Sequence, residues 1–397
     1  MINFVLHRLI AAGFDAHLVG GCVRDTLLKR PVTDWDIATS ATPAEVERLF
    51  DKTIKTGERF GTITVIHDGV PMEVTTYRRD GIYRDNRHPA HVTFGASLDE
   101  DLLRRDFTIN AMAMTESGEI IDPVGGLRDL ERGVIRAVGD PAQRFTEDAL
   151  RMFRAFRFKA QLGFTIAPET LQAILKHAHT AGAISPERIA AELTKTLMSD
   201  NPDTVWEITE SGLLAAHIPC RGGLRPSANT GVSMDSKFGV DDGRPQAAPT
   251  GVLSTLPKEH DLRWGVFCVL VGDGTMAHKL RLPAKTQRIC EAGVYVAQAG
   301  FPQTRAGIKH LLSKHPPDAV KSAAAVVGTL QSVDEILQSG ECCTIKTLAI
   351  SGQDLIAAGI PEGPAVGAIL QKLLNHVIDC PQENEKIKLL RMLKALQ

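Results

Sequence analysis

Residues 18–39 read LVGGCVRDTLLKRPVTDWDIAT, and how this stretch divides sets the fold. With His17 in front, HLVG is an apolar run that reads as a short strand. CVRDTLLK has helical spacing, and DWDIAT reads as a second short strand. Gly20-Gly21 stands at the strand-to-helix turn. Glycine lets backbone N–H groups approach a phosphate there, and a helix N-terminus favours the phosphate charge. Arg24 falls in the first turn and faces the same anion. Asp34 lies thirteen positions after Gly21, room for one helix between two adjacent strands.

Asp34 and Asp36 are spaced i and i+2, which on a strand puts both carboxylates on one face. Two converging carboxylates suit a hard divalent cation such as magnesium. The spacing alone carries little. Asp99-Glu100-Asp101 repeats it and reads as a solvated acidic turn. The neighbouring Gly-Gly turn makes Asp34 and Asp36 the catalytic, metal-holding candidates. Glu73 is a candidate third carboxylate. It sits in an apolar, β-branched run, so its charge either faces solvent or joins the metal site, and the residues leave both open.

Further along, TITVI, the turn HDGVP and MEVTTY predict a β-hairpin, since Asp68-Gly69 is a strong hairpin turn. From about Phe145 strand signals fade. EDALRMFRAFRFKAQLG, PETLQAILKHAHTAG and PERIAAELTKTLMS carry apolar residues at three- and four-residue spacing and read as helices. Pro219 to Lys258 is rich in Gly, Pro, Ser, Thr and Asp and reads as a long loop or insert. Helical patterns resume after it and run to ENEKIKLLRMLKAL. The expected fold is α+β: a head over 1–144, a helical neck over 145–218, the insert over 219–258, and an all-α body and tail over 259–397.

Composition narrows the function. Net charge is −2 over 397 residues, so any nucleic-acid surface must be a local basic patch. Seven cysteines without a C-x-x-C pair argue against a zinc site or a disulfide framework and fit a reducing, cytoplasmic setting. MINFVLHRLIAAGF reads as a first helix and not a signal peptide. No apolar run reaches the ~18 residues of a membrane span.

These residues, taken with later motifs, resemble one family. LVGGCVRD followed by DWDIAT is similar to the signature of polymerase-β-type nucleotidyltransferases. RRDFTINAMAM (Arg104 to Met114), DPVGGLRDLERGVIRAVGDP, EDALRMFRAFRF (Glu147 to Phe158) and SPERIAAEL (Ser185 to Leu193) follow in the order of the bacterial CCA-adding branch. That branch is the class II tRNA nucleotidyltransferase and poly(A) polymerase family, and the resemblance is strong over residues 15–195. It implies a polymerase-β-type head, and roles at matching positions. Gly21 and Arg24 would contact the triphosphate. Asp34 and Asp36 would hold magnesium. Arg105 would contact the nucleotide, and Asn110 would help to sense the ribose. Asp148, Arg151, Arg154 and Arg157 would line the nucleotide pocket on one helix. The implied partners are ATP, CTP and the acceptor end of tRNA, with no membrane. Oligomeric state is left open, a homodimer included.

The base-reading proposal also has a residue-level reading. Asp148 and Arg151, at i and i+3, share a helix face. A carboxylate accepts and a guanidinium donates. Cytosine and adenine each present an amino donor beside a ring-nitrogen acceptor, whereas uracil and guanine present the reverse. An Asp–Arg pair therefore complements C and A on unpaired Watson–Crick edges. An exposed ion-paired face is the bland alternative. The expected reaction is attack of the tRNA 3′-hydroxyl on the α-phosphate, with two metals and release of pyrophosphate. Rival readings are poly(A) polymerase, CC-only and A-only enzymes, and a non-enzymatic tRNA-binding protein. The final LKALQ is no long basic tail of the kind the poly(A) reading calls for. An HD-type metal site is not expected, since Gly272 precedes Asp273 and His260-Asp261 reads as a loop or helix start. The charged run between Glu73 and Arg105, with Arg79, Asp80, Arg84, Asp85 and Arg87, reads as a solvated hairpin connection or as a loop that switches the pocket from CTP to ATP. On the second reading, deleting residues 80–87 spares C addition and blocks A addition.

Overall fold

A computed structural model describes residues 2–81, 92–217 and 251–396. The chain forms two compact units, Met1–Arg244 and Pro245–Gln397. The first begins with α1 (Ile2–Ala11), β1 (Ala16–Val19), α2 (Gly21–Leu27), β2 (Trp35–Thr39) and α3 (Pro43–Leu49). There follow β3 (Thr53–Gly57), β4 (Thr62–His67), β5 (Val70–Thr76), β6 (Arg78–Asp80), β7 (Val92–Phe94) and α4 (Leu98–Leu103). The two-residue strands β8 (Ala113–Met114) and β9 (Ile120–Ile121) lead into helices α5 (Gly126–Glu131) and α6 (Pro141–Glu147). Then come α7 (Leu150–Leu162), α8 (Pro168–His177), α9 (Pro186–Leu197) and α10 (Thr204–Glu210).

One sheet organises this unit, in the order β3-β4-β5-β2-β1-β8-β9. The hairpin β4–β5 forms as the sequence predicts. Asp68 and Gly69 adopt φ 50° and 80°, the paired left-handed conformations of a type I′ turn, and His67 pairs with Val70 across it. β2 runs parallel to β5 and antiparallel to β1, which sets β2 inside the sheet. The register places Asp36 opposite Glu73. Helices cover the sheet and bury Leu6, Leu9, Ile37, Ile63 and Met72. Leu102, Phe107, Phe145, Phe153 and Phe156 are essentially inaccessible as well. Each such side chain contributes roughly 1.5–3 kcal/mol on burial.

Two boundaries differ from the sequence reading. β2 begins at Trp35, so Asp34 stands just before the strand. The expected single helix from Glu147 is broken: α6 ends at Glu147 and α7 starts at Leu150. Asp148 is extended, φ −145° and ψ 103°, and its carboxylate accepts from Leu150 N–H at 3.1 Å. An Asp that bonds free N–H groups at a helix start favours a cap over a helix interior, which is why the break falls here.

The stem β6–β7 closes the predicted charged connection. Arg79 Nε on β6 donates to Glu100 Oε1 on α4 at 2.7 Å. Arg84, Asp85 and Arg87 lie outside the described residues.

The second unit is helical, with α11 (His260–Val271), α12 (Met276–Lys279), α13 (Ala284–Gln298), α14 (Arg305–Leu312), α15 (Pro317–Val326) and α16 (Leu330–Gln338). α17 (Gly352–Ala357), α18 (Pro364–Asp379) and α19 (Lys386–Leu396) follow. α11, α13 and α15 pack around Trp264 and Phe267. Most of the expected insert lies outside the described residues. Its last part belongs to this unit, because Leu253 and Leu256 are buried and Arg263 donates to the carbonyls of Leu256 and Pro257 at 2.7 and 3.0 Å. His260-Asp261 is a helix start, as read. Asp261 binds Lys285 and Thr286 at 2.7 Å each and ties α11 to α13. No described helix is long and apolar enough to cross a membrane.

Candidate active site

Gly20 begins the site. Its φ of 77° favours glycine, and a Cβ there would lie 2.9 Å from Arg105 Nη1 and 3.4 Å from Asp36 Oδ2. The turn backbone therefore runs directly against both side chains. Gly20, Gly21, Arg24, Asp34, Asp36, Arg105, Asn110, Asp148, Arg151, Arg154 and Arg157 all line one cleft of about 470 Å³. The sequence candidates thus converge, with one difference. Glu73 is exposed on β5 beside Asp36 and is not among the lining residues.

Charge is uneven along the cleft. Burial, with the Glu73 and Asp34 charges, pushes the Asp36 carboxyl up to about 6, against the opposing pull of Arg105 and Arg154. A partly desolvated carboxylate beside two others favours a cation, and an all-oxygen donor set suits a hard one. Among the described residues no group of three or more His, Cys, Asp or Glu forms a closed metal site. A magnesium ion is commonly held by one or two carboxylates, with water and substrate phosphate completing its shell. Asp34 and Asp36 fit that pattern.

Cations also gather in the cleft lining. Arg24 is buried and donates from Nη1 to Asn110 Oδ1 at 2.6 Å and from Nη2 to Asp25 Oδ2 at 2.9 Å. Asn110 Nδ2 donates to Asp106 Oδ1 at 3.2 Å, which leaves the amide one lone pair and one N–H. Asp106 also receives Arg154, 2.7 Å from Nε and 2.6 Å from Nη2. Burial alone would raise the Asp106 carboxyl, but Arg154, Arg151 and the Asn110 bond outweigh it and hold it at about 2. Arg157 makes an ion pair with Glu192 at 2.6 Å. Burial and the neighbouring Arg154 and Arg24 charges lower Arg157 to about 10 despite the Glu192 and Asp106 charges.

Asp148 and Arg151 do not form the helix-face pair that their spacing predicts. Asp148 pairs with Arg188 of α9 at 2.8 Å, and Arg151 with Glu147 at 2.6 Å. Arg151 also donates to the Arg104 carbonyl at 3.1 Å. Both reach the cleft, one from the cap and one from the first turn of α7.

Three family models match in chain order. The Poly A polymerase head domain covers residues 16–136, and the "Probable RNA and SrmB- binding site of polymerase A" covers 163–220. A tRNA nucleotidyltransferase domain 2 covers 317–393. The CCA-adding enzyme of Lactobacillus delbrueckii subsp. bulgaricus is 39% identical over 96% of this chain and 94% of its own length. The crystal structure of the Bacillus stearothermophilus CCA-adding enzyme in complex with CTP superposes with a TM-score of 0.74 at 31% identity, covering 99% of this chain and 96% of that one.

The chain belongs to the CCA-adding enzyme family.

It is thus a tRNA nucleotidyltransferase, with an α+β polymerase-type head and a helical remainder. The Thermotoga maritima CCA-adding enzyme complexed with tRNA shares this fold, with a TM-score of 0.67 at 19% identity over 100% of this chain and 94% of that one. Within this family frame, the residues that sequence reasoning passed over are the partners beneath the cleft. Asp101 was read as solvated, yet it is fully buried and binds Arg104 at 2.6 Å and Arg105 at 3.1 Å. The two arginines that follow at i+3 and i+4 were the available signal. Asp106 and Arg188 sit inside quoted motifs, but nothing in their spacing shows that they bind Arg154 and Asp148.

Proposed function

We propose that this enzyme adds C, C and A in turn to the 3′ end of tRNA, using CTP and ATP without a nucleic-acid template. The observation that carries the reading is one cleft whose lining joins carboxylates, a glycine turn and arginines with Asp148 and Arg151. The first group suits a triphosphate and its cation, the second a base edge.

In this reading Gly21, Arg24, Arg154 and Arg157 bind the triphosphate, and Arg105 holds the nucleotide beside Asp36. Asn110 has capacity left for a ribose hydroxyl. Asp148 accepts from the amino group of C or A, and Arg151 donates to the adjacent ring nitrogen; U and G leave these groups mismatched, at about 1–3 kcal/mol each. Asp34 and Asp36, with Glu73 as a further carboxylate, would hold the magnesium ions that activate the 3′-hydroxyl and stabilise the leaving oxygens. The 3′ oxygen forms a bond to the α-phosphorus, the α–β bridging bond breaks, and pyrophosphate leaves. The helical remainder holds the acceptor end of tRNA by shape and phosphate contacts.

The assay supplies labelled CTP or ATP with tRNA lacking CCA, tRNA lacking only the final A, or oligo(A). CCA addition requires C on the first substrate and A on the second. The head-domain match to poly(A) polymerases supports a second reading, A-only or poly(A) synthesis. Labelling of oligo(A), or refusal of CTP, would establish that reading instead.

A further inference from the structure

Three cleft arginines converge on one aromatic ring. The guanidinium carbons of Arg24, Arg154 and Arg157 lie 5.0, 5.4 and 4.1 Å from the centroid of Phe158. Phe158 is 4% exposed and lines the cleft. Phe107 meets it at 85° with centroids 5.8 Å apart, an edge contact that fixes the ring plane. Arg24 comes from α2, whereas Arg154 and Arg157 come from α7, so the ring is where two separate elements bring their cations together.

We propose that Phe158 is a positioning residue for the triphosphate, gathering three arginines around its ring into a single polyanion-binding cluster. The inference rests on the reading of this cleft as a nucleoside triphosphate site. Its chemistry is direct. Like charges repel, and the ion pairs of Arg24 with Asp25, Arg154 with Asp106 and Arg157 with Glu192 tie the three guanidiniums to three different carboxylates. Burial first, and then the neighbouring Arg154 and Arg24 charges, depress Arg157. A π face attracts a guanidinium without taking up its N–H donors, unlike a carboxylate, so it can hold the three arginines together while donors remain for phosphate oxygens. Leucine would fill much of the volume and supply no such face.

The test uses the full chain and inorganic tripolyphosphate, titrated by calorimetry without tRNA. Phe158→Leu is expected to weaken binding about tenfold, as partial loss of three such contacts implies. It should raise KM for CTP and ATP alike and leave the preference for C and A over U and G unchanged. Replacing Phe158 with trifluorophenylalanine keeps the shape and removes the negative face, so it should weaken binding in the same direction with an unchanged melting temperature. Unaltered affinity in the fluorinated protein would overturn the proposal, leaving Phe158 a packing residue. Failure of the unaltered protein to bind tripolyphosphate would overturn the triphosphate reading and this inference together.

Discussion

Asp36 stands opposite Glu73 in the parallel register of β2 and β5, and burial, aided by the Glu73 charge, holds the Asp36 carboxyl at about 6. The folded pKa exceeds the ordinary 3.8, so between these values the folded chain keeps a proton that the unfolded chain has lost. The contribution of Asp36 to stability is therefore complete below about 3.8 and is lost as pH rises through about 6. Asp36→Asn should melt higher than the unaltered protein at neutral pH in chelator, and its stability should change less across that window. Magnesium should raise the melting temperature of the unaltered protein but not of Asp36→Asn. Glu73→Gln should shift the window downward. Identical pH profiles for all three proteins would remove the coupling.

Asp34→Ala and Asp36→Ala should each lower nucleotide addition at least about a thousandfold, the loss expected when several kcal/mol of charge stabilisation disappear. Circular dichroism should show an intact fold, since neither residue lies in the apolar core. Turnover near the normal rate in either variant would rule out the assignment.

Asp148→Ala should admit UTP or GTP at a measurable rate while slowing CTP and ATP. It also removes the carboxylate that accepts from Leu150 N–H, so a stability loss of about 1 kcal/mol is expected. Equal slowing of all four nucleotides would mean that Asp148 only caps α7.

Asp106→Ala should destabilise the protein by about 3 kcal/mol, the low end for breaking a buried pair, because Arg154 keeps 34% of its side chain exposed. The depressed Asp106 pKa gives the opposite pH sign from Asp36. Its contribution is present above the ordinary carboxylate value and is lost as pH falls through about 2. Denaturant titrations near neutrality and at acid pH measure both effects, and a variant as stable as the parent at neutral pH would contradict the pairing.

What sequence could and could not show divides along physical lines. The glycine turn, β2 and the β4–β5 hairpin depend on local chemistry: positive-φ residues, alternation and β-branching within a few positions. The cleft-lining set was legible because its members fall in quoted motifs. Asp148 was misplaced because a helix-spaced charge stripe and a capping Asp look alike until the backbone break is seen. Asp101 was misread because burial depends on β6, α4 and the core beneath them, none of which a three-residue acidic run reveals. The pairings Asp106–Arg154 and Asp148–Arg188 join residues 48 and 40 positions apart, beyond any helical or strand period.

Arg104 bonds Asp101 through its side chain and receives Arg151 at its carbonyl. The proposed base reader is therefore also a latch between α4 and α7. Exchanging a pyrimidine for a purine would have to strain or release this latch, while the two cytidine additions would leave it shut. The third addition would carry an enthalpic barrier that the first two lack, and chilling the reaction should leave molecules stalled after the second cytidine.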